Sequence, residues 1–397
     1  MIAIFIAPVI VALLIFEFIR EIKFFNKYPV YKKTKITILV LLAIVFPLTI
    51  PVSFLLPTGI FKTILTRFAN YYSGIAIYLI IGLLLGDIIR FVYKIISRDK
   101  YSERWAIELT NVFAILFATI MSFYGIINAH NLHTTYYDIN SSKTSSVNNL
   151  NVVLIADIHL GYNVGEKEIK NMVNKINASN PDVVVLAGDI FDNDFNAIQN
   201  PERIEELLRS IKAKYGKFAI YGNHDVDEKV FCGFSLHPKE KLAEASDDMN
   251  NFMANSSFTF LYDKGVSIRD ENGNIITNIY GRPDAHRINF GNSERVAAKD
   301  ITGGFSEDNY FICVDHEPKD LQELADAGVD LDLSGHTHNG QVWPGTISIK
   351  FAWDNAYGLL QVDDMTSIVT SGVGLFGINM RTGCIAEIAQ INISFNK

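Results

Sequence analysis

Five times in its second half the chain runs through β-branched and aliphatic residues and then stops abruptly at Asp, His or Asn. The runs are "LNVVLIADIHLG", "PDVVVLAGDIFDND", "KFAIYGNHDVDE", "NYFICVDHEPKD" and "VDLDLSGHTHNG". Continuous apolar runs of this length read as strands buried on both faces. Between the first two lies "GEKEIKNMVNKINASN", and between the next two "NPERIEELLRSIKAKYG", each with apolar residues at helical spacing. The alternation is βαβ and predicts an α/β sheet covered by helices. In open α/β sheets ligands bind beyond the carboxyl ends of the strands. Here those ends carry Asp157, His159, Asp189, Asn223, His224, His316, His336 and His338, and so hold five of the nine histidines. One such residue alone would be a hydrogen-bonded core histidine or a turn-forming Asp. Repetition at five strand ends argues for a shared site.

The chemistry of that site follows from its donors. Asp, His and Asn without thiolate suit divalent ions such as Mn²⁺, Fe²⁺ or Zn²⁺. Eight groups exceed the needs of one tetrahedral ion. They are enough for two ions about 3.5–4 Å apart sharing a carboxylate, an arrangement that clamps a phosphoryl oxygen and turns water into a hydroxide nucleophile at neutral pH.

The first third of the chain reads differently. Apolar stretches at 2–19, 36–56, 73–95 and 106–128 each approach the roughly 20 residues needed to cross a bilayer, which accounts for a mean hydropathy of +0.18. No Lys or Arg precedes Arg20 and no small-residue cleavage site follows, so the first stretch reads as a span rather than a signal peptide. Asp87 and Arg90, at i and i+3 near the end of the third span, are placed to pair. Six basic residues lie between Arg20 and Lys35, and Lys94, Arg98, Lys100 and Arg104 follow the third span. The loop between spans two and three has only Lys62 and Arg67. The positive-inside rule therefore puts the first and third loops in the cytoplasm and the second half of the chain outside. The polar segment 131–150 reads as a linker.

Charge divides along the same line: 13 Lys+Arg against 6 Asp+Glu up to His130, then 22 against 37. An acidic second half excludes a nucleic-acid groove, which needs a positive stripe, and suits cations. Cys232, Cys313 and Cys384 have no C-x-x-C spacing and read as buried apolar residues, with one disulfide left open if that half faces an oxidising compartment.

With "DIH" at 157, "GD" at 188, "GNHD" at 222, a lone His316 and "GHTH" at 335, residues 150–397 resemble the calcineurin-like metallophosphoesterases. The resemblance implies an α/β (α+β-like) domain at 151–397 with a two-sheet β-sandwich core flanked by helices; the four apolar stretches put an all-α four-helix transmembrane region at 1–130 ahead of it. It implies that Asp157, His159 and His338 hold one metal, that Asn223, His316 and His336 hold the other, and that Asp189 bridges them. His224 then protonates the leaving oxygen, and Asp192 hydrogen-bonds His224, raising its pKa. Asn193 stands where the protein phosphatases have Arg. "GHTHNGQ" and "VTSGVGLFGINMRTG" resemble the membrane-associated branch, some members of which hydrolyse lipid-linked pyrophosphates such as UDP-2,3-diacylglucosamine. Arg381 is a candidate contact for a substrate phosphate.

The expected function is a membrane-anchored phosphohydrolase acting on a phosphorylated small molecule or lipid-linked substrate, with its catalytic domain extracytoplasmic. The alternative is a membrane sensor that binds a phosphorylated ligand without turnover, from which a lost donor would be expected; none of the eight is missing. A channel or transporter would show several paired polar residues in the spans, and only Asp87 and Glu108 stand out. Between "GNHD" and His316, the segment around 231–262 reads as one amphipathic helix and "VSIRDENGNIITNIYGRPD" as a hairpin of a second sheet. His237, Arg282, His286 and Arg287 read as surface residues. Gln341 reads as shaping a turn, and Trp343, Trp353 and Tyr357 as packing, with one of them able to line the substrate entrance.

Overall fold

The computed structural model describes residues 48–97, 102–228, 230–231, 234–235, 244–285 and 295–396, together with Ile19, Lys33, Thr34, Thr37 and Leu41. The span expected at 2–19, apart from Ile19, and most of that at 36–56 lie outside the described residues. So do His237, His286, Arg287 and Cys232. The chain divides into two compact units, one of Met1–Ile127 with Phe231–Phe234 and Gly377–Met380, the other of Asn128–Val230, Ser235–Phe376 and Arg381–Lys397.

In the first unit a short helix, Thr49–Leu55, ends where Leu56 turns extended ahead of Pro57, as the residue before a proline prefers. Helix Ile60–Ser97 follows, then Glu103–Ala129. Each contains an apolar window long enough to cross a membrane, with mean hydropathy 2.3 and 1.9. The third expected span lies inside the first of these, but the loop expected to carry Lys62 and Arg67 is helical. No proline interrupts Ile60–Ser97, and glycine alone weakens a helix without ending it. At 1.5 Å per residue this helix is about 57 Å long, against about 30 Å of hydrocarbon. Asp87 and Arg90 pair at 3.2 Å as expected. The two long helices meet at small residues: a Cβ on Gly82 would lie 2.8 Å from the Ala114 Cα, the close approach that glycine permits between apolar helices.

The second unit holds two six-stranded mixed sheets. The strands of the chain, in order and with β5 and β6 paired in a separate two-stranded sheet, are β1 (Leu132–Thr144), β2 (Asn149–Ile155), β3 (Val183–Ala187), β4 (Gly216–Ile220), β5 (Val230–Phe231), β6 (Phe234–Ser235) and β7 (Thr259–Phe260). They continue with β8 (Lys264–Arg269), β9 (Ile275–Gly281), β10 (Phe311–Val314), β11 (Leu331–Ser334), β12 (Gly358–Val362), β13 (Met365–Val369) and β14 (Ala386–Asn396). The sheet orders are β1-β14-β2-β3-β4-β7 and β12-β13-β11-β10-β9-β8. The five donor-bearing strands do not share one sheet: β2, β3 and β4 are in the first, β10 and β11 in the second.

The inner faces meet in a core that includes Leu154, Val185, Ile312 and Leu333. The outer face of the first sheet covers Ile169, Met172, Ile204 and Leu208 from helices Glu166–Ala178 and Pro201–Arg209. That of the second covers Leu321 and Leu324 from helix Leu321–Asp326. Burial on both faces is why these strands are uninterrupted apolar runs, each fully buried aliphatic side chain contributing about 1.5–3 kcal/mol.

Segment 131–150 is not a linker. Residues 132–144 form β1, parallel to β14 from Leu132↔Ala386 onward. Its Thr and Tyr residues are strand formers, and on an edge strand the polar ones can face solvent. The amphipathic helix is shorter than expected, Asp247–Asn255, started by the Ser246 side chain accepting from the Met249 N–H; part of the expected segment lies outside the described residues. The hairpin is present as β8–β9, antiparallel, at the edge of the second sheet. Arg282 is not a surface residue: it is 1% exposed and ion-paired to Asp315 at 2.8 Å and Asp320 at 3.0 Å. A buried guanidinium needs such partners. Cys313 and Cys384 are buried free thiols.

Candidate metal centre

Each donor block is a place where a buried strand ends and the chain turns. Asp157, His159, Asp189, His336 and His338 all have positive φ, between 49° and 68°. Asp, His and Asn tolerate this left-handed region better than other side chains with a Cβ. The turns bring carboxylates against neighbouring backbone, which explains two of the motif glycines. A Cβ on Gly222 would meet the Asp189 backbone N at 2.6 Å, and one on Gly335 would meet Asp157 Oδ2 at 2.6 Å.

Seven side chains converge in two groups around one carboxylate oxygen. In the first, His159 Nε2 lies 3.0 Å from His338 Nε2, and His338 Nε2 lies 3.8 Å from Asp157 Oδ1. In the second, Asn223 Oδ1 lies 2.8 Å from His336 Nδ1 and 3.1 Å from His316 Nε2, with the two ring nitrogens 3.2 Å apart. Asp189 Oδ2 is 3.1 Å from His316 Nε2 and 3.7 Å from His159 Nε2. Donors bound about 2.0–2.2 Å from a shared ion stand about 3–3.5 Å apart; four of the seven spacings fall in that range, and those of 2.8, 3.7 and 3.8 Å lie just outside it. Among the described residues, Asp157, His159 and His338, and likewise Asp189, His316 and His336, are groups able to hold a metal ion; His159, Asp192 and His224 form a third.

The outward nitrogens support the same assignment of lone pairs. His316 Nδ1 donates to the Ala187 carbonyl at 2.8 Å, and His336 Nε2 faces Glu317 Oε1 at 3.5 Å. His159 Nδ1 faces Asp192 Oδ1 at 3.8 Å. The carbonyl behind His316 holds a proton on Nδ1 and leaves its inward Nε2 free to act as a metal donor. Burial lowers His159 to about 3 and His336 to about 4, and takes His338 well below its ordinary value. These three imidazoles are therefore neutral at pH 7, the form that binds metal. Burial alone would raise Asp189, but His316, His224 and His159 hold it well below the usual carboxylate range. Asp189 in turn overrides the effect of burial on His316, which is raised well above its ordinary value; a bound cation would have to displace that proton. Burial raises Asp157 to about 7, and Asp192 also to about 7 with Asp189 adding to it.

Two expectations are corrected. His224 is not joined to Asp192: its Nδ1 lies 2.5 Å from Asn193 Oδ1, whereas Asp192 stands behind His159. The order of residues after "GD" placed an acid in range, but the turn presents the next side chain to His224. Arg381 is fully buried rather than open to a substrate phosphate. Its guanidinium donates to the carbonyls of Gly372, Gly374 and Ile385 and lies behind His338, 3.4 Å from Nδ1. It fastens the loop beside the cluster.

Two aromatic residues outside the donor motifs stand against their histidines. Phe376 sits against His224 and His159, with ring centroids 4.6 and 5.3 Å apart, and Trp353 meets His336 edge-on at 5.2 Å. Trp353 was in view only as one of three aromatics near the last motif, and Phe376 carried no signal beyond the glycine-rich stretch around it.

A two-sheet sandwich with Asp, His and Asn donors gathered at its strand ends defines an α/β domain with groups able to hold a metal ion. Residues 150–340 match the model of the calcineurin-like phosphoesterase family, and the chain carries a calcineurin-like metallophosphoesterase domain. It is similar to the "Transmembrane protein with metallophosphoesterase domain" of Danio rerio, 28% identical over 331 residues, which covers 80% of this chain and 71% of that one. The protein of the same name in Bos taurus is 27% identical over 313 residues, covering 74% of this chain and 64% of its own length. An uncharacterised metallophosphoesterase of Campylobacter jejuni is 24% identical over 317 residues, covering 78% and 77%.

Proposed function

We propose that the chain is a membrane-anchored phosphohydrolase that holds two divalent cations, Mn²⁺, Fe²⁺ or Zn²⁺, and hydrolyses a phosphoester or pyrophosphate bond. Asp157, His159 and His338 hold one cation and Asn223, His316 and His336 the other, with Asp189 between them. The observation that carries this reading is the position of Asp189 Oδ2, one oxygen facing both donor groups at 3.1 and 3.7 Å. When bound, such a pair polarises phosphoryl oxygens and makes water acidic enough to attack phosphorus at neutral pH.

The chain's own groups do the rest. His224, its Nδ1 proton held by Asn193, points Nε2 at the leaving oxygen and, as the imidazolium, gives that oxygen its Nε2 proton and is left neutral. Asp192 stands behind the His159 ring, its Oδ1 3.8 Å from Nδ1. The substrate is a phosphorylated small molecule or a lipid-linked phosphate, and the long apolar helices favour one delivered at the bilayer. The Lys-rich segment 20–35 and the basic cluster 94–104 favour a domain on the extracytoplasmic face.

The test is purified full-length chain with Mn²⁺ against p-nitrophenyl phosphate and bis-p-nitrophenyl phosphate, followed by lipid pyrophosphates and nucleotide phosphodiesters. Turnover is expected, with His224→Ala losing about 10²–10⁴-fold in kcat and keeping its metal. Full activity in that variant removes His224 from the mechanism. Metal and ligand binding without turnover in the native chain identifies a non-catalytic sensor instead.

A further inference from the structure

Phe376 is an exposed apolar ring set among imidazoles. It is 39% exposed, with its centroid 4.6 Å from that of His224, 5.3 Å from His159 and 6.4 Å from His338. Its place is enforced. The Gln341 side chain accepts from the Phe376 N–H at 3.0 Å through Oε1 and donates to the Phe376 carbonyl at 2.9 Å through Nε2. Gln341 lies 35 residues earlier, three residues after His338, so the last donor motif and the aromatic wall are clamped together. With both backbone groups of Phe376 held, the origin of the ring stays fixed beside the cluster.

Resting on the phosphohydrolase reading, we infer that Phe376 is a specificity residue that contacts the substrate and selects an apolar leaving group. His224 serves the leaving oxygen, so the group attached to that oxygen lies beside the ring packed on His224. The open face of Phe376 offers that group an apolar surface, and a hydrated polar group there would lose solvent with no donor or acceptor in return. Aromatic and alkyl groups both suit such a wall; two probes separate them.

The experiment is calorimetric binding of methylphosphonate, phenylphosphonate and octylphosphonate to the full-length, Mn²⁺-loaded chain in detergent, for the native protein, Phe376→Ala and Phe376→Leu. Because phosphonates are not hydrolysed, the result does not depend on turnover, and failure of the hydrolase reading would appear separately as native chain inert toward the nitrophenyl esters. The native chain should bind at least one of the two larger probes about tenfold more tightly than methylphosphonate. Phe376→Ala should abolish that preference, bringing the affinities for the three probes to within about twofold of one another. Phe376→Leu should retain the octyl preference if the natural group is a chain and lose the phenyl preference if it is a flat ring. Absence of any preference in the native chain, no phosphonate binding at all, or equal weakening of all three probes by Phe376→Ala overturns the inference.

Discussion

The Nδ1–H of His224 donates to the side-chain oxygen of Asn193 across 2.5 Å. The direction is fixed, because an amide oxygen only accepts, and the Asn193 amide nitrogen points instead to the Val226 carbonyl at 3.5 Å. Backbone bonds tie the two residues further, with Asn193 N–H donating to the His224 carbonyl at 3.2 Å. A neutral amide sets the tautomer of the ring without the added negative charge that a carboxylate would bring.

Asn193→Ala should therefore lower kcat about tenfold, the worth of one hydrogen bond of about 1–1.5 kcal/mol, with metal content unchanged. Steady-state kinetics paired with elemental analysis reads both quantities. A variant with native kcat would show that the ring is oriented by something else.

Asp189 faces both donor groups, so its removal should act on both cations. Asp189→Ala should take bound metal from two equivalents per chain toward none, whereas Asn223→Ala should take it toward one. Mass spectrometry of metals on protein purified from Mn²⁺-replete growth decides this. A full equivalent retained by Asp189→Ala would show that one group stands without the shared carboxylate.

Arg282 and Asp315 are both buried, Arg295 also reaches Asp315 at 2.9 Å, and both arginines hold Asp320. Removing one member of a buried ion-pair network leaves a charge short of partners. Arg282→Met should cost about 3 kcal/mol of stability, and because Asp315 precedes His316, the second metal should bind more weakly. Thermal unfolding with and without metal tests both effects, and a native midpoint would return Arg282 to a peripheral role.

Asp332 sits on β11, fully buried, accepting from Ser367 Oγ at 2.9 Å and Ser334 Oγ at 3.2 Å. Burial first, then Asp315, raises it from 3.8 to about 7. Between those values the unfolded chain has ionised this carboxyl and the folded chain has not, so the folded state holds the extra proton and stability falls as pH rises. Asp332→Asn removes this contribution, and its stability relative to the native chain should grow from about pH 4 to about pH 7 and then level off. Melting temperatures of the two proteins across that range give the answer; a constant difference would mean Asp332 is ionised in the fold.

Much of this protein was legible without coordinates. The strands β2, β3, β4, β10 and β11 announced themselves because burial on both faces forces an uninterrupted apolar run. The donors were visible because only a few residue types end such runs in a left-handed turn and also bind metal. The hairpin around Gly273 and the apolar long helices were equally local signals.

What the residue order by itself determined is therefore whatever acts over a few neighbours: strand, turn, helix, and the kinds of donor at the strand ends. The tertiary structure alone decided which chain neighbours became partners in space. It turned 132–144 into a strand on β14 some 250 residues away and divided the five strands between two sheets. It buried Arg282 and Arg381 behind the cluster, gave His224 to Asn193 rather than Asp192, and clamped Phe376 to Gln341. Those choices come from packing and from the need of every buried polar group for a partner, and both are settled by contacts far apart along the chain.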